Sequence, residues 1–110
     1  MEERKLVEEA LQKHHLFGTL TDGLKNKVLS SMRLVAFNAK EFIFRQGQSG
    51  YHVYVIVSGR TDIVVNNKQI KVAGVGEILG ERALMGNIKR TASVFTTVAV
   101  KLWVLNGEDF

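Results

Sequence analysis

The chain has no cysteine and no proline. The absence of cysteine excludes a disulfide scaffold, a thiolate zinc site and a thiol nucleophile together, and fits an intracellular setting. Without proline, the turns must be made by asparagine and by the 10 glycines. Aromatic residues are sparse, at 8%. No apolar run approaches the roughly 20 residues that a membrane helix needs. The charged start Met1-Glu2-Glu3-Arg4-Lys5 carries no signal-peptide pattern. A block of one charge sign is also missing. The 15 basic and 11 acidic residues give a net charge of +4, shared evenly between the two halves of the chain. Nucleic-acid binding wants a clustered basic stripe and is not expected. A small anionic ligand needs only one well-placed cation and remains compatible.

What is present is 110 residues, 45% of them hydrophobic and 24% charged. That suits one small globular domain with a buried core. The first third has a helical period: Leu6, Val7, Ala10, Leu11 and His14 share a stripe, with Leu16 and Phe17 beyond. Gly18 breaks it. Thr21 or Asp22 can cap a second helix through about Ser31, with Leu24, Val28, Leu29 and Met32 on its apolar face. After Arg33 the period shortens. Strands are expected at 34–37, 42–44, 53–57, 61–65, 68–73, 91–97 and 98–105, with Asn66-Asn67 as a hairpin turn. Helices followed by short strands predict an α+β domain: N-terminal helices over residues 1–32, packed on an antiparallel β-barrel or jelly roll over 33–106.

One segment interrupts the strands. Residues 74–80 are glycine-rich, Glu81 to Met85 are helix-like, and Lys89-Arg90 are basic. A glycine loop leading into a short helix exposes backbone N–H groups to an anion. Arg90 can return to the same anion with a guanidinium fork that matches two phosphate oxygens. Glu81 can accept hydrogen bonds from sugar hydroxyls. Together these describe a nucleotide-sized ligand with a single phosphate.

Competing readings of the same residues are plainer. Arg90 can form a structural ion pair with Glu77 or Glu81. Glu81 can be a helix N-terminal carboxylate, Thr91 a β-former entering a strand, Lys71 a solvated strand lysine and Arg82 a solvated helix residue. Gly74-x-Gly76-x-x-x-Gly80 is one residue too long for a dinucleotide fingerprint and no βαβ unit follows. His14, His15 and His52 do not sit at metal-ligand spacing. The serines lack a paired base, so no catalytic residue, metal or cofactor is expected. Arg90-Thr91-Ala92-Ser93 also looks like a basophilic kinase substrate site, but its place in a strand speaks against modification.

The sequence Gly80-Glu81-Arg82-Ala83-Leu84, followed at the same spacing by Arg90-Thr91-Ala92-Ser93, resembles the phosphate-binding cassette of cyclic-nucleotide-binding domains. Arg45-Gln46-Gly47-Gln48-Ser49-Gly50 and Tyr54-Val55-Ile56-Val57-Ser58-Gly59 resemble that family's Gln-Gly turn, aromatic strand and closing glycine. The likeness runs from about Leu16 to Phe110, with the cassette at 79–93. It implies that Arg90 pairs with the phosphate oxygens and Glu81 with the ribose 2′-hydroxyl. It implies that amides near Gly80, Ala83 and Ala92 support the ribose and phosphate. Thr91 after the arginine is similar to cGMP-selective sites, where the hydroxyl bridges the guanine 2-amino group and the phosphate. One such bond is worth about 1–2 kcal/mol, roughly tenfold in affinity. Lys71 matches a strand position that meets guanine O6 in some relatives.

The combination looks most like regulatory domains of cGMP-dependent protein kinases of protozoan parasites. That resemblance implies a cytoplasmic sensor that binds cGMP, with cAMP weaker, and relieves autoinhibition of an intramolecular kinase catalytic domain. Any membrane association would come through other parts of the parent protein. The alternative is a cAMP-binding regulatory domain of a kinase or of a transcription regulator. Arg82 is unusual for the family and suggests an allosteric latch to a lid helix. Lys89 replaces a common proline, Leu79 and Val53 replace aromatics, and the first of these suggests a looser approach to Arg90. Residues 107–110 fall where a hinge helix should begin, so the length is expected to mark a fragment of a larger protein.

Overall fold

The computed structural model describes residues 2–86 and 89–106. Helix α1 spans Glu2–Lys13, α2 His15–Gly18 and α3 Asp22–Ser31. Thr21 caps α3, its hydroxyl accepting from the Leu24 N–H at 3.3 Å. Eight strands follow: β1 Arg33–Phe37, β2 Phe42–Phe44, β3 His52–Ser58, β4 Thr61–Val65, β5 Lys68–Ala73, β6 Ile78–Leu79, β7 Ser93–Thr96 and β8 Val100–Asn106. A 3₁₀ helix, Glu81–Met85, lies between β6 and β7. Asn66 and Asn67 turn the β4–β5 hairpin with φ of 51° and 67°, left-handed values that asparagine tolerates.

The strands form two four-stranded antiparallel sheets, ordered β1-β8-β3-β6 and β2-β7-β4-β5. The α+β jelly-roll architecture is as expected, but the barrel is not closed. Strand β6 has two residues and β2 three, too short to carry pairing from one sheet to the other, so the sheets stack as a sandwich.

Strand β3 explains how helices and sandwich share one core. Tyr54 and Ile56 face the opposite sheet with Leu102, Val104, Ile43, Ile63 and Val94. Val53 and Val55 face the other way and pack with Val7, Leu11, Phe17 and Leu29 of the helices. The run Val53–Ile56 is therefore apolar on both faces. Each fully buried aliphatic side chain contributes about 1.5–3 kcal/mol. The ion pairs Arg4–Glu8 and Lys71–Glu77 are exposed and contribute at most about 1 kcal/mol each. The two apolar clusters hold the fold.

The segment 107–110, where a hinge helix was expected, lies outside the described residues.

Candidate functional site

Arg90 is the most unusual side chain in the domain. It is 8% exposed, yet among the described residues no carboxylate pairs with it. The ion pair with Glu77 or Glu81 is therefore not formed. Its Nη2 donates to the His52 carbonyl at 2.9 Å and its Nη1 to the Gly80 carbonyl at 3.4 Å. The guanidinium lies over the Phe44 ring, 4.2 Å from the centroid. Burial pulls its pKa down, with the nearby Tyr54 hydroxyl opposing, but a guanidinium keeps its charge at neutral pH. Burial likewise pushes the Tyr54 hydroxyl up, against the fields of Arg90 and Arg33. The result is a desolvated positive charge held by backbone carbonyls and an aromatic face, with its net charge uncompensated.

Two glycines make room for it. A Cβ at Gly80 would stand 2.5 Å from Nη1 and 2.9 Å from the His52 carbonyl oxygen. One at Gly50 would stand 2.8 Å from Nη2. The backbone is fixed as well. Arg90 N–H donates to Gln48 O and Gly47 N–H donates to Arg90 O, both at 2.8 Å, while Lys89 bridges to Ser49. The approach through Lys89 is thus clamped on the Gln46–Ser49 turn rather than loosened by the lack of proline. Phe44, Gly50, the Gln48 backbone and the His52 carbonyl were not assigned roles from the sequence. Only the places of Gln48 and Gly50 in the Gln-Gly block hinted at one.

Arg90 forms part of the wall of a cavity of about 170 Å³ that opens between β5, β6, the 3₁₀ helix and the start of β7. The cavity brings together all the residues singled out above: Lys71, Gly80, Glu81, Arg82, Ala83, Arg90, Thr91 and Ala92. Gly80 takes φ of 80° and turns the chain out of β6 into the helix, placing Glu81 at its first position. The first N–H groups of such a turn have no partner within it. The Ala83 N–H is not among the free ones, since it donates to Gly80 O at 3.2 Å. Thr91 is exposed beside the buried Arg90, and Ala92 packs against the sandwich core. Lys71 is paired with Glu77 at 3.2 Å rather than solvated alone. Arg82 is exposed. A second cavity of about 330 Å³ lies between α1 and α3, where Lys25 donates to Gln12. Among the described residues, no group of three or more His, Asp or Glu could hold a metal ion, and no helix is long and apolar enough to cross a membrane.

The sequence pattern of the cyclic nucleotide-binding domain matches residues 34–110. The chain belongs to the cyclic nucleotide-binding domain family. This cyclic nucleotide-binding domain is 34% identical over 101 residues to a cGMP-dependent protein kinase of Plasmodium berghei (strain Anka), covering 91% of the chain and 12% of the kinase. It superposes on the regulatory domain of Toxoplasma gondii PKA, solved with cAMP, with a TM-score of 0.85 and 28% identity. That match covers 99% of the chain and 43% of the other. The regulatory subunit of a cAMP-independent protein kinase A from Trypanosoma cruzi, bound to guanosine, gives a TM-score of 0.87 and 26% identity over 97% of the chain and 38% of its own. The domain therefore spans less than half of each of these relatives.

Proposed function

We propose that the domain binds cGMP in the cavity at Arg90, takes cAMP more weakly, and serves as the regulatory sensor of a protein kinase. The observation that carries this reading is the buried guanidinium, with no carboxylate partner among the described residues, lining the same cavity as Glu81 and Thr91. A phosphate supplies the missing negative charge beside a largely buried guanidinium, where a charge-assisted bond is strong. Glu81 then receives the ribose hydroxyl. Thr91, exposed at the rim, bridges the phosphate and a guanine 2-amino group. Ligand binding favours one arrangement of the domain over another, and a linked catalytic domain held inactive by the empty arrangement is released.

Thr91→Ala is the test of base choice. In titration calorimetry it should lower cGMP affinity about tenfold, one hydrogen bond's worth, and leave cAMP nearly unchanged. Equal losses for both ligands would refute the selectivity. The solved relative with cAMP supports the second reading, a cAMP sensor, which predicts cAMP binding at least as tight as cGMP in the wild type.

Arg82 gives the sensor a candidate output contact. It lies in the 3₁₀ helix, exposed, and lines the same cavity as Arg90. Paired with an acidic residue of a lid helix, it acts as a latch that closes when ligand orders the helix. In the parent kinase, Arg82→Ala should weaken activation by cGMP more than cGMP binding. Equal loss of the two removes the latch.

A further inference from the structure

We infer that the Arg90 guanidinium also serves a second site, a cavity at its other edge that takes a small aromatic carboxylate. The site stands on its own geometry. Its competition with cyclic nucleotide rests on the proposed function.

This cavity, of about 320 Å³, opens between the end of β2, the turn at residues 45–51 and the start of β3. It shares only Phe44 and Arg90 with the cavity at Gly80. The two glycines mark which edge of the guanidinium each cavity meets. Gly80 lies against Nη1, where a Cβ would stand 2.5 Å away. Gly50 lies against the other edge, where a Cβ would stand 2.8 Å from Nη2 and 3.1 Å from Nε. The Gly80 and His52 carbonyls accept from Nη1 and Nη2. A guanidinium carries more N–H donors than those carbonyls occupy. One cation is thus shared between two separate spaces.

The walls point to the ligand. The guanidinium lies over Phe44, and the Phe44 ring is 5.9 Å from that of Tyr54. The His52 ring is 6.3 Å from Tyr54 on the other side. Tyr54 is buried and forms the floor, while Tyr51, which is exposed, stands at the mouth. Among the described residues no Asp or Glu lines the cavity. The fields of Arg90 and Arg33 both reach the Tyr54 hydroxyl. Rings around a positive edge, with no acid among them, suit an anion attached to a ring. A carboxylate is planar and matches parallel N–H groups along one guanidinium edge. Its ring then packs against the aromatic walls in offset or edge-on contact. The volume is at the low end for small-molecule sites, which limits the occupant to small acids.

Two anions on one guanidinium repel each other, and each neutralises charge that the other needs. The acid therefore opposes cyclic nucleotide, and the nucleotide opposes the acid to the same degree. The sensor gains an inhibitory input.

The test uses benzoate, with benzamide as its uncharged counterpart, at matched ionic strength because salt screens the charge. In the isotope-labelled domain benzoate should shift the Ser49–Tyr54 amides and the Arg90 Nε–Hε signal. Benzamide should bind at least about tenfold more weakly. Tyr51→Ala should weaken benzoate about fivefold and leave cGMP affinity within about twofold of wild type. Arg90→Gln should lose benzoate. In calorimetry, saturating benzoate should lower wild-type cGMP affinity about fivefold. The second site is overturned by no shifts at about 10 mM benzoate, by equal binding of benzamide, or by benzoate affinity unchanged in Tyr51→Ala or Arg90→Gln. Shifts confined to Gly80–Ala83 and Thr91, or cGMP affinity unchanged under saturating benzoate, overturn it too. A domain that binds benzoate as described but neither cGMP nor cAMP overturns the proposed function instead and leaves this site standing.

Discussion

Arg90→Gln is expected to abolish cyclic-nucleotide binding while the fold survives. Truncating one partner of a buried, hydrogen-bonded charge pair costs about 2–5 kcal/mol, roughly 30- to 5000-fold in affinity. The cost falls at the high end where the charge is desolvated, as here, with 8% of the residue exposed. Stability responds differently because two effects oppose. The variant loses the bond to the His52 carbonyl, worth about 0.5–1.5 kcal/mol, or somewhat more because the donor is charged. It also removes a buried cation that no carboxylate neutralises, whose desolvation is a cost of several kcal/mol to the empty domain. The backbone clamp through Gly47 and Gln48 does not depend on the side chain. A thermal melt should therefore show a Tm close to wild type, beside a calorimetric trace with no measurable heat of binding. Affinity within threefold of wild type would remove Arg90 from the site.

Gly80→Ala has the second largest expected effect, and it strikes fold and site together. The residue holds φ of 80°, and an L side chain there costs about 1–2 kcal/mol. Its Cβ also meets the guanidinium at 2.5 Å and the His52 carbonyl oxygen at 2.9 Å. The carbonyl belongs to the first residue of β3 and cannot give way as a flexible chain end can. The guanidinium moves instead, away from both acceptors. We expect Tm to fall by roughly 5–10 °C, from the size of the strain, and cGMP affinity to fall at least tenfold. Gly47→Ala is the control. It shares the strain, with φ of 87°, but its Cβ meets no atom within 4 Å. It should lower Tm by a similar amount and leave affinity near wild type. Equal affinity losses would mean that backbone strain, rather than the guanidinium slot, accounts for the Gly80 effect.

Much of the fold was legible because its signals are local. The Thr21 cap, the Asn66-Asn67 turn and the strand runs each depend on neighbours within a few residues. The cassette was legible as a spaced motif, and the cavity collects its residues. The slot around Arg90 was not. Phe44 beneath the guanidinium, the His52 carbonyl 38 positions away and the glycine at 50 come together only when β2, β3 and β7 are stacked, which no sequence period encodes. Lys71 shows the same limit. A lysine on an exposed strand looks solvated until the turn at Glu77 brings a carboxylate to 3.2 Å. Open sheet edges were equally hidden, since closure depends on the short β2 and β6 and their three-dimensional reach.

The most direct measurement is a titration of cGMP into the isotope-labelled wild-type domain, followed by amide and arginine Nε–Hε resonances. Binding at the proposed site moves the Gly80–Ala83 and Arg90–Ala92 amides and the Arg90 Nε–Hε signal most, and to a common saturation point. No shifts at millimolar ligand, or shifts confined to the larger cavity between α1 and α3 around Leu11, Phe17 and Leu29, would contradict it.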